Sequence, residues 1–119
     1  MRLFRAMLFV KDLPRMADFY EHTLGLKPNP KTRSDDWVEF DAEGTIFALH
    51  AIPAEHANGV EITSHPEARE QSATKLCFFV DNLPAERARL TTLGVIFIDR
   101  PWDACDALDP EGNVFQLCS

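Results

Sequence analysis

Side chains able to carry chemistry are thinly spread along these 119 residues. Cys77, Cys105 and Cys118 form an odd set with no C-x-x-C spacing. That argues against a disulfide framework and for a reducing compartment, hence a cytoplasmic location. Of the four histidines, His22 falls in a helical stretch, and His56 and His65 in a polar connector; these three are assigned to the surface. His50 ends an apolar strand candidate, and its imidazole titrates near neutrality, where it can move a proton. In the strand candidate Trp37–Asp41, alternation puts Trp37 and Glu39 opposite apolar Val38 and Phe40. Glu39 and His50 are the candidates for proton transfer.

Charge narrows the partners. Twelve Lys and Arg against 19 Asp and Glu leave a net charge of −7. Nucleic acid needs clustered cations to displace counterions, and anionic lipid needs the same, so both are excluded as expected partners. The longest purely apolar runs, Ala6–Val10 and Leu76–Val80, have five residues each. Both are far short of the roughly 20 needed to cross a bilayer, and the first residues do not read as a signal peptide.

The elements that must position these groups come in two copies. Phe9-Val10-Lys11-Asp12-Leu13-Pro14 returns as Phe79-Val80-Asp81-Asn82-Leu83-Pro84, an offset of 70. Leu24-Gly25 returns as Leu93-Gly94, and Asp41–Leu49 returns as Asp109–Leu117 at an offset of 68. Three collinear blocks mark an internal duplication. Each copy opens with a strand, Leu3–Val10 or Lys75–Val80, rich in Phe, Val and Leu. Asp12 and Asn82 stand at helix N-cap positions, each followed by a proline in the first turn. Leu13, Met16, Phe19, Tyr20 and Leu24 recur at helical spacing; Leu83, Ala88, Leu90 and Leu93 do so more weakly. Gly25 and Gly94 end the two helices. Trp37–Asp41 with Thr45–Ala51, and Cys105–Leu108 with Asn113–Cys118, read as hairpins turning at Glu43-Gly44 and Glu111-Gly112. Pro28 and Pro30 restrict any strand in Lys27–Arg33 to a sheet edge. The chain therefore reads as a single α+β domain of two β-α-β-β-β modules, 1–52 and 75–119. The connector 53–74 is expected to hold a short helix near Pro66–Gln71 or an arm on a partner subunit.

Two such modules, with strand-Asp-Leu-Pro-helix-Leu-Gly and a closing Asp-Pro-Glu-Gly-Asn-hydrophobic-Phe-Gln-Leu, resemble the vicinal oxygen chelate superfamily. That group includes glyoxalase I, bleomycin-resistance proteins, extradiol dioxygenases and fosfomycin-resistance enzymes. The resemblance implies a glyoxalase/bleomycin-resistance-type curled mixed sheet around a cavity, built within one chain or across a homodimer. It also places the family's metal-ligand positions, by motif register, at Arg5 and Ala48 in one module and Lys75 and Gln116 in the other. A divalent metal wants imidazole, carboxylate or thiolate there. Arg5 has no lone pair to offer and Ala48 no donor. Lys75 would need to bind as a neutral amine against a reference pKa of about 10.4. No metal and no cofactor is expected.

With Arg5, Ala48, Lys75 and Gln116 facing inward, alternation brings Met7, Phe9, His50, Cys77, Phe79 and Cys118 to the same face. Leu8, Val10, Phe47, Leu49, Leu76, Phe78, Val80, Phe115 and Leu117 then form the apolar face beneath the helices. Two readings of the polar face stand side by side. Arg5 and Lys75 clamp an anionic ligand, with Phe9, Trp37 and Phe79 as an aromatic wall; or a cation pairs with Glu39 and fills the space with a salt bridge. A third arrangement, Met7, His50, Cys77 and Cys118 as a soft-metal set, competes with plain packing. The expected function is metal-independent sequestration of a small anionic or aromatic molecule, as in the bleomycin-resistance branch. The alternative is a glyoxalase-like lyase or isomerase using Glu39 or His50.

Overall fold

The first apolar run forms β1 (Arg5–Val10), two residues shorter than expected, because Leu3 and Phe4 lie exposed outside the ladder. Asp12 then caps helix α1 (Leu13–Asp18), its carboxylate accepting from Arg15 N–H with Pro14 in the first turn. The helical stripe continues past Asp18, but as a π-helical turn, Phe19–Thr23, closed by Leu24 N–H donating to the Phe19 carbonyl at 3.0 Å. The wider turn lets both Phe19 and Tyr20 point into the core, Tyr20 edge-on to Phe47 at 4.8 Å. Gly25, at φ +82°, turns the chain out of the helix. Next come β2 (Lys27–Pro28), β3 (Trp37–Asp41), β4 (Ile46–Ala51) and a short helix α2 (Ala54–Ala57).

The second copy repeats the plan with β5 (Leu76–Phe79), α3 (Leu83–Thr92), β6 (Phe97–Ile98), β7 (Cys105–Leu108) and β8 (Val114–Cys118). Asn82 caps α3 by accepting from Ala85 N–H. The helix is less firmly seated than its spacing suggests: Leu90 is buried, but Ala88 and Leu93 are exposed.

The computed structural model describes residues 1–119, which divide into two units, Met1–Glu61 and Ile62–Ser119. Each unit holds one four-stranded mixed sheet. The orders are β1-β4-β3-β2 and β5-β8-β7-β6, which correspond strand for strand. The first strand of each unit pairs parallel with the last, and the others pair antiparallel. The proline-bearing strand β2 lies at an edge, where its missing N–H is harmless. Val10, Phe47, Leu49, Phe115 and Leu117 are buried, so the apolar alternation does form the core face of each sheet. No helix is long and apolar enough to cross a membrane.

The connector departs from expectation. Its only helix is α2, and Pro66–Gln71 is not helical. That stretch lies instead along the Asp109–Asn113 turn of its own unit, with Arg69 N–H donating to the Gly112 carbonyl at 2.8 Å. The unit boundary falls within the connector, so 53–61 join the first unit and 62–74 the second.

Candidate functional site

Register places the predicted residues in rows across each sheet. In the first unit Phe9, His50 and Trp37 stand side by side on β1, β4 and β3. The next row is Met7, Ala48 and Glu39. All six belong to the face opposite the helix, as alternation required. Phe9 and Met7 are exposed, Trp37 and His50 half-buried, and Ala48 and Glu39 buried. The His50 ring lies 5.4 Å from both Phe9 and Trp37, edge-on to Trp37. Arg5 reaches over this surface. Its guanidinium sits 5.0 Å from the Trp37 ring and 5.1 Å from Phe4, and donates to Glu39 Oε1 at 2.9 Å. Glu39 Oε2 accepts from the Thr32 hydroxyl at 3.2 Å.

The second unit carries the equivalent middle row: Cys77, Gln116 and Asp106 on β5, β8 and β7. Lys75 Nζ donates to Asp106 Oδ2 at 2.8 Å, and Arg100 Nε donates to the same oxygen at 2.8 Å. Arg100 is held in turn by both oxygens of Glu70. Asp106 is fully buried, and its Oδ1 accepts no hydrogen bond. Burial pushes the Asp106 carboxyl up, but the bonds from Lys75 and Arg100 outweigh it and hold the group below its ordinary value. Phe79 is 71 % exposed, Gln116 half-buried, and Cys77 is exposed with its sulfur 3.0 Å from that of Cys118.

Both cations are paired with carboxylates. Arg5 does pair with Glu39, as the salt-bridge alternative held. Lys75 pairs with Asp106, a residue the sequence reading missed. The duplication offset of 68 would align Glu39 with apolar Ala107. The second hairpin turn, however, has five residues between its last paired positions where the first has four. One extra residue exchanges the faces of a strand, and Asp106 takes the inward place. Comparing the two turn lengths was the available signal. Arg100 had none, since its contact with Asp106 depends on how the loop after β6 folds back.

The metal positions implied by the resemblance do not fit a metal. Arg5 and Lys75 are tied to carboxylates, Ala48 is a buried methyl, and no three His, Cys, Asp or Glu side chains group as ligands. Proton transfer is little better served. Both oxygens of Glu39 are engaged, and His50 touches rings with no carboxylate hydrogen-bonded to it. The chemistry on offer is stacking on the Phe9–His50–Trp37 row and donation from Arg5, which spends one of its five N–H groups on Glu39. Beside Glu39 lies a cleft of about 390 Å³, lined by Lys27, Pro28 and Asn29 and by Glu39, Phe40 and Asp41 of β3.

The fold recurs in solved structures. One is a glyoxalase/bleomycin resistance protein/dioxygenase family enzyme from Burkholderia phytofirmans PsJN, with TM-score 0.72 and 21% identity, covering 95% of this chain and 94% of that one. A lactoylglutathione lyase from Agrobacterium tumefaciens has TM-score 0.69 and 17% identity, covering 98% and 91%. TnmS3, an antibiotic binding protein from Streptomyces sp. CB03234, has TM-score 0.64 and 22% identity, covering 98% and 93%. No curated protein matches the sequence. The sequence model of the glyoxalase-like domain matches residues 5–118, both β-α-β-β-β units from the first strand to the last. The chain belongs to the glyoxalase-like domain family of the vicinal oxygen chelate superfamily.

Proposed function

We propose that the protein binds a small aromatic molecule bearing an anionic group, without a metal, on the sheet face of the first unit. The observation that carries this reading is the in-register row Phe9–His50–Trp37 with the Arg5 guanidinium seated against Trp37. Aromatic rings stack on such a row, and each good pair contributes about 0.5–1.5 kcal/mol beyond area burial. Arg5 is held in place by Glu39 and keeps donors for a carboxylate or phosphate. Lys75, Cys77, Phe79 and Gln116 present a comparable face on the second unit. Metal independence is supported by donor chemistry, since the positions that would ligate are Arg5, Ala48, Lys75 and Gln116. An antibiotic binding protein among the structural relatives is in keeping with sequestration. The protein acts as a cytoplasmic homodimer in this reading: its three cysteines are free, and Phe79 exposes apolar surface suited to a second copy.

A calorimetric titration with a panel of aromatic and aliphatic carboxylates tests the assignment. Aromatic carboxylates are expected to bind, to be indifferent to a chelator, and to lose about tenfold in affinity in Trp37→Ala, the loss of one stacking partner. Binding abolished by the chelator, or equal binding of aliphatic acids unaffected by Trp37→Ala, overturns it.

A further inference from the structure

Cys77 and Cys118 are 41 positions apart in sequence, yet their sulfurs lie 3.0 Å apart in the second unit. The parallel ladder is the reason. Cys77 faces Gln116 and Phe79 faces Cys118, so the two cysteines are diagonal neighbours two residues out of register on one face. Both thiols are free, Cys77 is exposed and Cys118 half-buried. Cys105, on β7, is buried and takes no part.

We infer that Cys77 and Cys118 form a dithiol modification site that is oxidised reversibly to an intramolecular disulfide by a small disulfide of the glutathione class. Exposed Cys77, as thiolate, attacks one sulfur of oxidised glutathione, and a glutathione thiolate leaves. Cys118, as thiolate, then attacks the Cys77 sulfur of the mixed disulfide, and the second glutathione leaves. The two cysteine protons pass through solvent to the departing thiolates, so one disulfide is reduced for each one formed. The sulfurs, 3.0 Å apart, must close to about 2.05 Å; diagonal positions stand about 7–8 Å apart at the backbone, at the limit of a disulfide's span, so β5 and β8 must also draw slightly together, which keeps the bond readily reducible. Burial and the contact with Cys118 push the Cys77 thiol up to about 11, so little thiolate is present near neutrality and the exchange is slow there and faster as pH rises. The site uses no residue of the Phe9–His50–Trp37 row that carries the proposed aromatic ligand, so either assignment can fail without the other.

The test treats the full chain with oxidised glutathione at mildly alkaline pH, then counts free thiols and maps peptides without reduction. The expected result is a fall from three free thiols to one, a Cys77–Cys118 linked peptide with no covalent link between chains, and full reversal by a dithiol reductant. Cys118→Ser removes the resolving thiol, so it is expected to trap glutathione on Cys77 as a stable adduct. In Cys105→Ser the linkage is expected to form as in the parent chain. Three thiols persisting under oxidant, a lasting glutathione adduct on Cys77 of the parent chain, or a disulfide between two chains would each overturn the assignment.

Discussion

Asp106 concentrates the electrostatics of the second unit in one carboxylate. A buried carboxylate is costly unless paired, and here one oxygen takes both cationic partners, Lys75 and Arg100. Asp106→Asn would leave those cations facing an amide. Lys75 is partly solvated, so the expected loss is about 2 kcal/mol rather than the larger cost of a fully buried pair, read as a shift in urea midpoint. The pH dependence has a definite sign. Asp106 titrates below its ordinary value when folded, so its contribution to stability is fully present above the unfolded carboxyl value of about 3.9. It is lost as pH falls below that value, through the lower folded one. Urea midpoints measured from pH 6 down should fall more steeply below about pH 4 in the parent chain than in Asp106→Asn. Equal acid limbs would contradict the pairing.

At the scale of elements, two glycines separate backbone strain from packing. Gly25 and Gly112 have nearly the same dihedral, φ +82° and +81°. A Cβ on Gly25 meets nothing within 4 Å, whereas on Gly112 it would stand 2.1 Å from the Glu67 carbonyl oxygen. Gly25→Ala should therefore cost about 1 kcal/mol, the left-handed strain alone. Gly112→Ala should cost more than twice that, because the Glu67–Arg69 segment must also lift off the turn. Thermal melts of the two variants check this, and similar losses would mean that the connector does not hold the turn. The same scale explains what the sequence disclosed of the elements. Caps at Asp12 and Asn82, the ends at Gly25 and Gly94 and the edge strand with Pro28 were legible because each rests on one residue's own hydrogen bonds or dihedral limits. The π-helical turn at Phe19–Thr23 was not, since it answers to how two adjacent aromatics fill the core above β4.

For the whole molecule the duplication is the main organising fact. Each unit builds the same sheet order and, on the face opposite its helix, the same cation–carboxylate pair: Arg5 with Glu39, Lys75 with Asp106. The acidic excess of the chain therefore coexists, in each unit, with a sheet face on which the cation is paired with a carboxylate. The proposed homodimer is checked by sedimentation equilibrium, with an expected mass near twice 13.5 kDa. Phe79→Asp, which charges an exposed apolar position, is expected to shift the equilibrium toward monomer at least tenfold, while an unchanged equilibrium would remove this face from the contact. The sequence by itself determined the repeat, the α+β class, the faces of the first and last strands of each unit and the unsuitability of Arg5 and Ala48 for a metal. These follow from local periodicity and from what single side chains can chemically do. Only tertiary structure decided that Lys75 meets Asp106, that Arg100 joins them and that Cys77 touches Cys118. Those contacts depend on strand register and loop closure across dozens of residues, where one extra residue in a turn changes which side chains meet.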